Sequence, residues 1–275
     1  MNIEMKKIPI YIILCIYLII VLFPMVWLLY SSFKTTQEIY ANTWNLPRVF
    51  HLDNFVRAWT NSHVGQYFFN SVTVTSISLV LSILIASMAA YILARFEFKG
   101  NRLILYIFLS GMMIPVQLAL VPLVFLAESL GIRNLIGLCL VYVAFSLPFS
   151  VFVLTGFFKT LPSELSDAAS IDGCSEFGVF WRIMLPLAKP GLVTVAIFNF
   201  LGFWNEYLFA LLFLSNEKQY TVPLGLANLM MVMEYKADWG ALFAGLVIVM
   251  IPTLIVYICL QDRLTKGITA GALKG

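Results

Sequence analysis

Charged side chains are scarce in this sequence. Asp, Glu, Lys and Arg make up 11% of its 275 residues, hydrophobic residues make up 61%, and the mean hydropathy is +0.93. A soluble globular domain has about 25% charged residues, because water must solvate its surface. The scarcity of charge excludes a soluble globule and predicts an integral membrane protein.

Cysteine and histidine are also few, and they are not grouped. The sequence contains no CxxC pair and no Cys/His spacing typical of a metal site. Both histidines, His51 and His63, lie far from any cluster of carboxylates. Disulfides, a bound metal and a catalytic histidine are therefore disfavoured. The cysteines are Cys15, Cys139 and Cys259 in apolar runs and Cys174 in a polar stretch.

Two patterns that bind polyanions or nucleotides are missing. The net charge is only +3, and no basic tract lies on a polar helix, which disfavours nucleic acid as a partner. No phosphate-binding loop of the GxxxxGK[ST] type occurs. The chain is therefore expected to hold no cofactor and to hydrolyse no ATP itself.

Long apolar runs dominate what is present. Each exceeds the roughly 20 residues that cross a hydrocarbon core about 30 Å thick. The first run is too long for a signal peptide and has no cleavage site after it, so we expect it to be retained. The sequence thus predicts an all-α polytopic protein, one transmembrane domain over residues 1–275. Its six predicted spans are residues 8–30, 70–94, 103–127, 134–158, 191–215 and 240–261.

The distribution of Lys and Arg predicts the orientation of these spans. Eleven of the 17 basic residues lie on the side that holds both termini, and six lie on the other. Because cytoplasmic loops are the more basic ones, both termini are expected in the cytoplasm. The loop 161–190 and the tail 261–275 are then cytoplasmic, and the loops 31–69 and 216–239 are external.

Several spans contain features that a simple anchor does not need. Pro115 and Pro122 in the third run and Pro148 in the fourth predict kinks. Gln117 makes either an interhelical hydrogen bond or a contact with substrate. Small residues at four-residue spacing in the second run predict a closely packed helix face; they are Ser78, Ser82, Ala86 and Ala90.

The fifth run contains a carboxylate, Glu206. Asn199 lies seven residues before it, nearly on the same helix face, and Asn205 is adjacent. A carboxylate inside a span normally faces water or a partner charge. Glu206 therefore either borders an aqueous pathway, together with Gln117, Asn199 and Asn205, or pairs with another subunit or an external basic residue.

The second external loop contains a methionine-rich patch at Met230, Met231 and Met233. Flexible methionines suit a surface that packs against partners, and a shallow helix at the membrane edge is the alternative.

The loop 161–190 predicts two short helices. Ser163 is a candidate N-cap for a helix over residues 164–172, and Gly173 is placed to end that helix. Ser175 can cap a second helix whose apolar face suits a membrane surface or another helix. Periodicity alone leaves simple packing open as an explanation. The predicted apolar face consists of Phe177, Phe180, Trp181 and Met184.

This loop resembles the EAA loop of the membrane-spanning subunits of ABC importers. Seven positions match at fixed spacing, in a loop that charge counting places in the cytoplasm. The family's leading glutamate is an aspartate here, which keeps the carboxylate on a side chain one methylene shorter. The matching positions are Asp167, Ala168, Ala169, Gly173, Ile183, Leu185 and Pro186.

Other segments resemble the carbohydrate branch of that family, the MalG-type sugar permeases: MMIPVQLALVP, WNEYLFALLFL, DWGALFAG and QDRLTKGITAGALKG. The resemblance implies a non-catalytic permease subunit of an ATP-driven importer of a sugar or oligosaccharide, in a bacterial or archaeal cell membrane. It also implies a second permease, two cytoplasmic ATPase subunits that bind ATP and Mg²⁺, and an extracytoplasmic binding protein. The residues expected to couple to the ATPase are Glu164, Asp167, Ala168, Ala169, Asp172 and Gly173.

Two alternatives remain open at this point. A permease of the same class for another solute, such as a glycerol-phosphate diester, would share the coupling loop. A self-contained secondary carrier would usually show internal repeats or charged residues at the midplane, and the sequence offers only Glu206.

Overall fold

The structure is a computed structural model that describes residues 7–236 and 238–272, with side chains described in 7–231 and 238–259. The described residues are mostly helical and include no β-strand, which confirms the predicted all-α class. They group into two compact units, Met1–Tyr67 with Gly225–Ile251 and Phe68–Leu224 with Pro252–Gly275. The single domain over residues 1–275 stays a prediction.

Fourteen α-helices are described, together with a π-helical turn at Phe180–Met184 and a 3-10 turn at Glu217–Gln219. In chain order, the helices are α1 (Ile8–Ser31), α2 (Thr36–Ala41), α3 (Asp53–Thr60), α4 (Val64–Arg95), α5 (Asn101–Gly111), α6 (Val116–Ser129), α7 (Leu135–Thr160), α8 (Glu164–Ile171), α9 (Glu176–Val179), α10 (Leu185–Leu187), α11 (Lys189–Trp204), α12 (Leu208–Phe213), α13 (Val222–Lys236) and α14 (Trp239–Ala272).

Four of these helices contain a segment long and apolar enough to cross a membrane: α1, α4, α7 and, in α14, Trp239–Cys259. Two bent pairs also qualify if each pair is one span: α5 with α6, and Glu176–Leu187 with α11. The described residues therefore provide up to six spans. The cytoplasmic position of the termini stays a prediction.

The third predicted span is divided into α5 and α6 by a bend of 96°. Pro115 is the N-cap of α6 and has an extended backbone, with ψ 127°. Proline lacks the N–H that would continue the hydrogen bonding of α5, so the chain turns before it starts a new helix. The predicted kink at this proline is confirmed. Pro122 and Pro148 lie inside α6 and α7.

The fifth predicted span, residues 191–215, is not one helix but is divided around Glu206, the residue that also interrupts its apolar run. α11 ends at Trp204, and α12 begins at Leu208. The Glu206 carboxylate accepts hydrogen bonds from the backbone N–H groups of Phe209 and Ala210, at N···O distances of 2.7 and 3.1 Å. A side chain that satisfies the first N–H groups of a helix favours a new start at that point.

The last helix is longer than its predicted span. α14 continues to Ala272, through much of the segment predicted as a cytoplasmic tail. Gly267 and Gly271 lie within this part of the helix. Glycine lowers helix propensity by about 1 kcal/mol without forbidding the helix.

A polar network organises the first unit. The Asn54 amide donates to the backbone carbonyls of Ser32 and Lys34, at 2.8 and 2.9 Å. Gly240 lies against this pair, and a Cβ there would come within 2.7 Å of the Lys34 carbonyl oxygen. Arg57 donates to Asp238, with Nε 3.0 Å from Oδ2. These contacts join the exit of α1, helix α3 and the start of α14.

The second unit is built on the small-residue face of α4. Ser78, Ser82, Ala86 and Ala90 are all fully buried, which confirms the predicted close packing. The Ser78 hydroxyl lies 3.4 Å from the Cys139 carbonyl oxygen of α7, to which it donates. Small side chains let the two helix backbones approach, and this packing stabilises helices where lipid surrounds them.

Candidate functional site

The first helix of the 161–190 loop begins and ends close to its predicted bounds. α8 spans Glu164–Ile171. The predicted side-chain cap at Ser163 is wrong, because Ser163 itself has a helical backbone with φ −70° and ψ −30° and makes no capping bond. Its carbonyl instead accepts from the N–H groups of Ser166 and Asp167. Capping through the side chain needs an extended backbone at the cap.

α8 presents most of its surface to solvent. Ala169 is buried, whereas Ala168 and the carboxylates of Glu164, Asp167 and Asp172 are exposed. The exposed apolar side chains on the same helix are Leu165 and Ile171, the latter 86% exposed. The helix therefore offers both apolar contacts and hydrogen-bond acceptors to a partner.

Gly173 forms the joint after α8. Its φ is +79°, a left-handed conformation that glycine adopts at little cost. The N–H of Gly173 donates to the Ser170 carbonyl and the N–H of Cys174 to that of Ala169, at 3.1 and 2.9 Å. These bonds close the helix, as the sequence predicted.

The second helix begins where predicted. The Ser175 hydroxyl accepts from the Gly178 N–H at 3.3 Å, so the predicted cap is confirmed. The residues of the predicted apolar face differ in exposure, and a π-helical turn at Phe180–Met184 interrupts the helix. Phe180 and Met184 are buried, but Phe177 is 65% exposed and Val179 is buried in its place.

This second helix is anchored to the ends of α4 and α7. The Tyr91 ring of α4 contacts the rings of Phe158 and Phe180, with centroids 5.7 and 5.2 Å away. Arg95 donates through Nη2 to the Leu161 carbonyl oxygen at 2.7 Å. A cation at the carbonyl end of α7 is also favoured by the helix dipole. The loop thus projects α8 from a packed base.

Glu206 has partners within its own chain. Besides the two backbone N–H groups of α12, the Tyr142 hydroxyl donates to its carboxylate at 2.9 Å. The Tyr142 ring stacks on Phe203, at 5.1 Å and 6° between planes. This arrangement was not predicted from the sequence. The available signal was an acidic residue just before a short apolar helix, a position at which carboxylates are favoured.

Asn199 lies in a buried network that joins three helices. Its amide nitrogen donates to the hydroxyls of Ser82 on α4 and Ser150 on α7, at 3.2 and 3.0 Å. Asn205, by contrast, is exposed, and its amide donates to the Leu201 carbonyl oxygen at 2.9 Å. Gln117 is exposed in the first turn of α6. The four predicted pathway residues therefore do not form one cluster.

The methionine patch lies on α13. Met230 and Met231 are exposed, and the side chain of Met233 lies outside the described residues. Among the described residues, no group of three or more His, Cys, Asp or Glu side chains is arranged to hold a metal ion.

Taken together, the helical spans and the projecting loop define a polytopic membrane transport subunit. The model of the family described as "Binding-protein-dependent transport system inner membrane component" matches residues 82–270. The chain belongs to this family. It is therefore a multi-pass subunit of a binding-protein-dependent ABC importer, a class that works with a partner permease, an ATPase and a binding protein. The resemblance found in the 161–190 loop is confirmed.

Similar proteins include the diacetylchitobiose uptake system permease protein NgcG of Streptomyces coelicolor, 43% identical over 95% of this chain and 87% of that protein. The trehalose/maltose transport system permease protein MalG of Thermococcus litoralis is 37% identical over 94% of this chain and 93% of that protein.

A solved structure of a bacterial ABC transporter that imports the acidic polysaccharide alginate has a chain with the same fold. Its TM-score is 0.84 at 20% identity, over 94% of this chain and 96% of that one.

Proposed function

We propose that this chain and a second permease form the membrane pathway for a sugar or oligosaccharide delivered by an extracytoplasmic binding protein. The observation that carries the proposal is the exposed α8, held on a packed base in the loop that matches the family's coupling motif. The names of the relatives, which include diacetylchitobiose and trehalose/maltose, favour a sugar as the solute.

In this proposal, α8 seats in a cleft of a cytoplasmic ATPase subunit, and two such subunits bind ATP and Mg²⁺. The exposed carboxylates of Glu164, Asp167 and Asp172 accept charge-assisted hydrogen bonds from basic groups of the ATPase. Ala168 and Ala169 keep the helix narrow, and Gly173 sets its angle. Closure of the ATPase pair moves α8 only if the closed pair binds one conformation of the permease more tightly than the other.

The remaining residues have proposed roles nearer the solute. The exposed Asn205 and Gln117 can donate to and accept from sugar hydroxyls along the pathway. Glu206 shapes that pathway by fixing the break between α11 and α12, and Asn199 holds the helices around it. Met230 and Met231, with Met233, contact the binding protein on the external side.

Reconstitution of the full importer tests this function. The chain, its second permease, the ATPase subunits and the binding protein are placed in proteoliposomes, and uptake of labelled oligosaccharides is measured with internal ATP. Uptake that requires both ATP and the binding protein is expected. Calorimetric titration of the binding protein then identifies the solute.

Two results would contradict the proposal in different ways. Uptake driven by an ion gradient with this chain alone would identify a secondary carrier. A binding protein that binds a glycerol-phosphate diester and no sugar would leave the transport class intact and exclude a sugar as the solute.

A further inference from the structure

A cavity of about 510 Å³ lies between the end of α4, the loop that follows it and the second helix of the 161–190 loop. Its walls are almost entirely apolar and include Met88, Ile92, Phe98 and Phe177. A volume of this size is within the range of sites that hold small molecules or part of a larger one. Neither the coupling contact of α8 nor the pathway residues use it.

The cavity continues an exposed apolar stripe of α4. Ile77, Leu81 and Ile85 are exposed at helical spacing along this span, and Met88 and Ile92 extend the stripe into the cavity. A stripe of this kind on a membrane-crossing helix suits contact with acyl chains. An acyl chain that follows the stripe therefore reaches the cavity at the end of the span.

Two carboxylates lie at the same cavity. Glu97, in the loop after α4, and Glu176, at the start of α9, both line it, and none of the lining residues is Lys or Arg. Lys99 follows two positions after Glu97 in the same loop. Carboxylates attract an ammonium group and repel an anionic headgroup. The charge at the cavity therefore favours a lipid whose headgroup carries an ammonium.

We propose that this cavity binds an aminophospholipid of the surrounding bilayer, with an acyl chain against Met88 and Ile92 and the headgroup ammonium at Glu97 and Glu176. Because Glu176 and Phe177 follow the Gly173 joint, the bound lipid also links the second helix of the loop to α4. The binding site does not depend on the transport function proposed above; only its effect on coupling rests on that function.

Lipid retention by the purified full-length chain tests the site. The chain is equilibrated in nanodiscs of equal phosphatidylethanolamine and phosphatidylglycerol, extracted in mild detergent, and analysed by mass spectrometry of the intact protein. Retention of one phosphatidylethanolamine is expected. The double variant Glu97→Gln/Glu176→Gln should lower that retention about fivefold, the effect of losing two partly solvated ion pairs.

A second pair of variants separates the cavity from the rest of α4. Met88→Trp fills the cavity and should abolish retention, whereas Val72→Trp, at an exposed position of α4 outside the stripe, should leave it unchanged. Transport assays are not needed for this outcome, so it is distinguishable from failure of the proposed function.

Three results would overturn the proposal. Equal retention of phosphatidylglycerol would show that the carboxylates do not select an ammonium headgroup. Unchanged retention by the double Gln variant would show the same. Loss of the lipid when the second permease is co-expressed would instead assign the cavity to a contact between subunits.

Discussion

At the scale of single residues, one backbone conformation separates the two short helices of the 161–190 loop. Gly173 has φ +79°, and a Cβ there would meet no atom within 4 Å. A residue with a side chain would therefore be strained at this position by its left-handed backbone conformation, and not by a clash with neighbouring atoms. Strain of this kind costs about 1–3 kcal/mol and shifts the angle at which α8 leaves its base.

We predict that Gly173→Val lowers coupling between ATP hydrolysis and uptake severalfold, with membrane insertion unchanged. The reason is that a β-branched residue disfavours the left-handed conformation and reorients α8. The measurement is the ratio of solute imported to ATP hydrolysed in proteoliposomes.

Gly131→Val is the matched control, because Gly131 also has a positive φ, +66°, and open space around its Cβ, but it lies in the turn after α6. An equal loss of coupling in both variants would show that the effect is general destabilisation and would contradict the role of the joint.

A second residue-scale prediction concerns Glu206. Replacement by Ala leaves two backbone N–H groups and the Tyr142 hydroxyl without this acceptor. Hydrogen bonds to charged groups contribute about 1.5–3 kcal/mol, so Glu206→Ala should lower stability by at least about 2 kcal/mol. Thermal unfolding in detergent measures the change. Glu206→Gln retains an acceptor oxygen and should unfold much closer to the wild type; equal unfolding of wild type and Glu206→Ala would refute the capping role.

At the scale of helices, Asn199 and Asn205 contribute differently, the first to stability and the second to uptake. Asn199 joins α4, α7 and α11 through two hydrogen bonds, whereas Asn205 is exposed at the end of α11. Interhelical hydrogen bonds in membranes average about 0.6 kcal/mol each. Asn199→Leu should therefore lower stability by about 1 kcal/mol, because both hydrogen bonds from the amide are lost while each serine hydroxyl keeps its bond to a backbone carbonyl.

The matched variant Asn205→Leu should leave the unfolding temperature unchanged and lower the uptake rate. Both variants are compared by thermal unfolding and by uptake per assembled complex. A stable Asn199→Leu protein with slow uptake would instead place Asn199 on the pathway.

Helix breaks show what sequence patterns can and cannot predict. Pro115 indicated a kink, and the 96° bend follows from the missing proline N–H. The break at residues 205–207 was missed, because hydropathy averages over a run and gives little weight to one carboxylate among apolar neighbours. The π-helical turn at Phe180–Met184 was not predicted either, since a periodicity of 3.6 does not anticipate it.

At the scale of the whole chain, the predicted orientation can be tested with the natural cysteines. Cys174 is partly exposed in the 161–190 loop, Cys139 is buried, and Cys15 and Cys259 are exposed on helices. After Cys15→Ser and Cys259→Ser, a membrane-impermeant maleimide should label Cys174 in inside-out vesicles and not in intact cells. Labelling in intact cells would show that the 161–190 loop is external and that the predicted orientation is wrong.

Composition and motif spacing were sufficient to predict the class and the family of the chain. Both can be read from short stretches of sequence, without knowing how the helices pack. The positions of Gln117 and Asn199 were not predictable in the same way. Whether a polar side chain in a span faces another helix or the surface depends on the packing of three or four helices, and one helix period does not specify this.

The bend between α5 and α6 also has a consequence for solvation. Each helix end leaves backbone groups without intrahelical partners, and hydrocarbon supplies neither donors nor acceptors for them. Met113, at the bend, is 84% exposed in the chain by itself. Since bare peptide groups are not stable against lipid tails, this part of the surface must meet water or another polypeptide in the assembled importer. The surroundings of the subunit therefore change at the bend, from lipid of low dielectric constant to water or protein of higher dielectric constant.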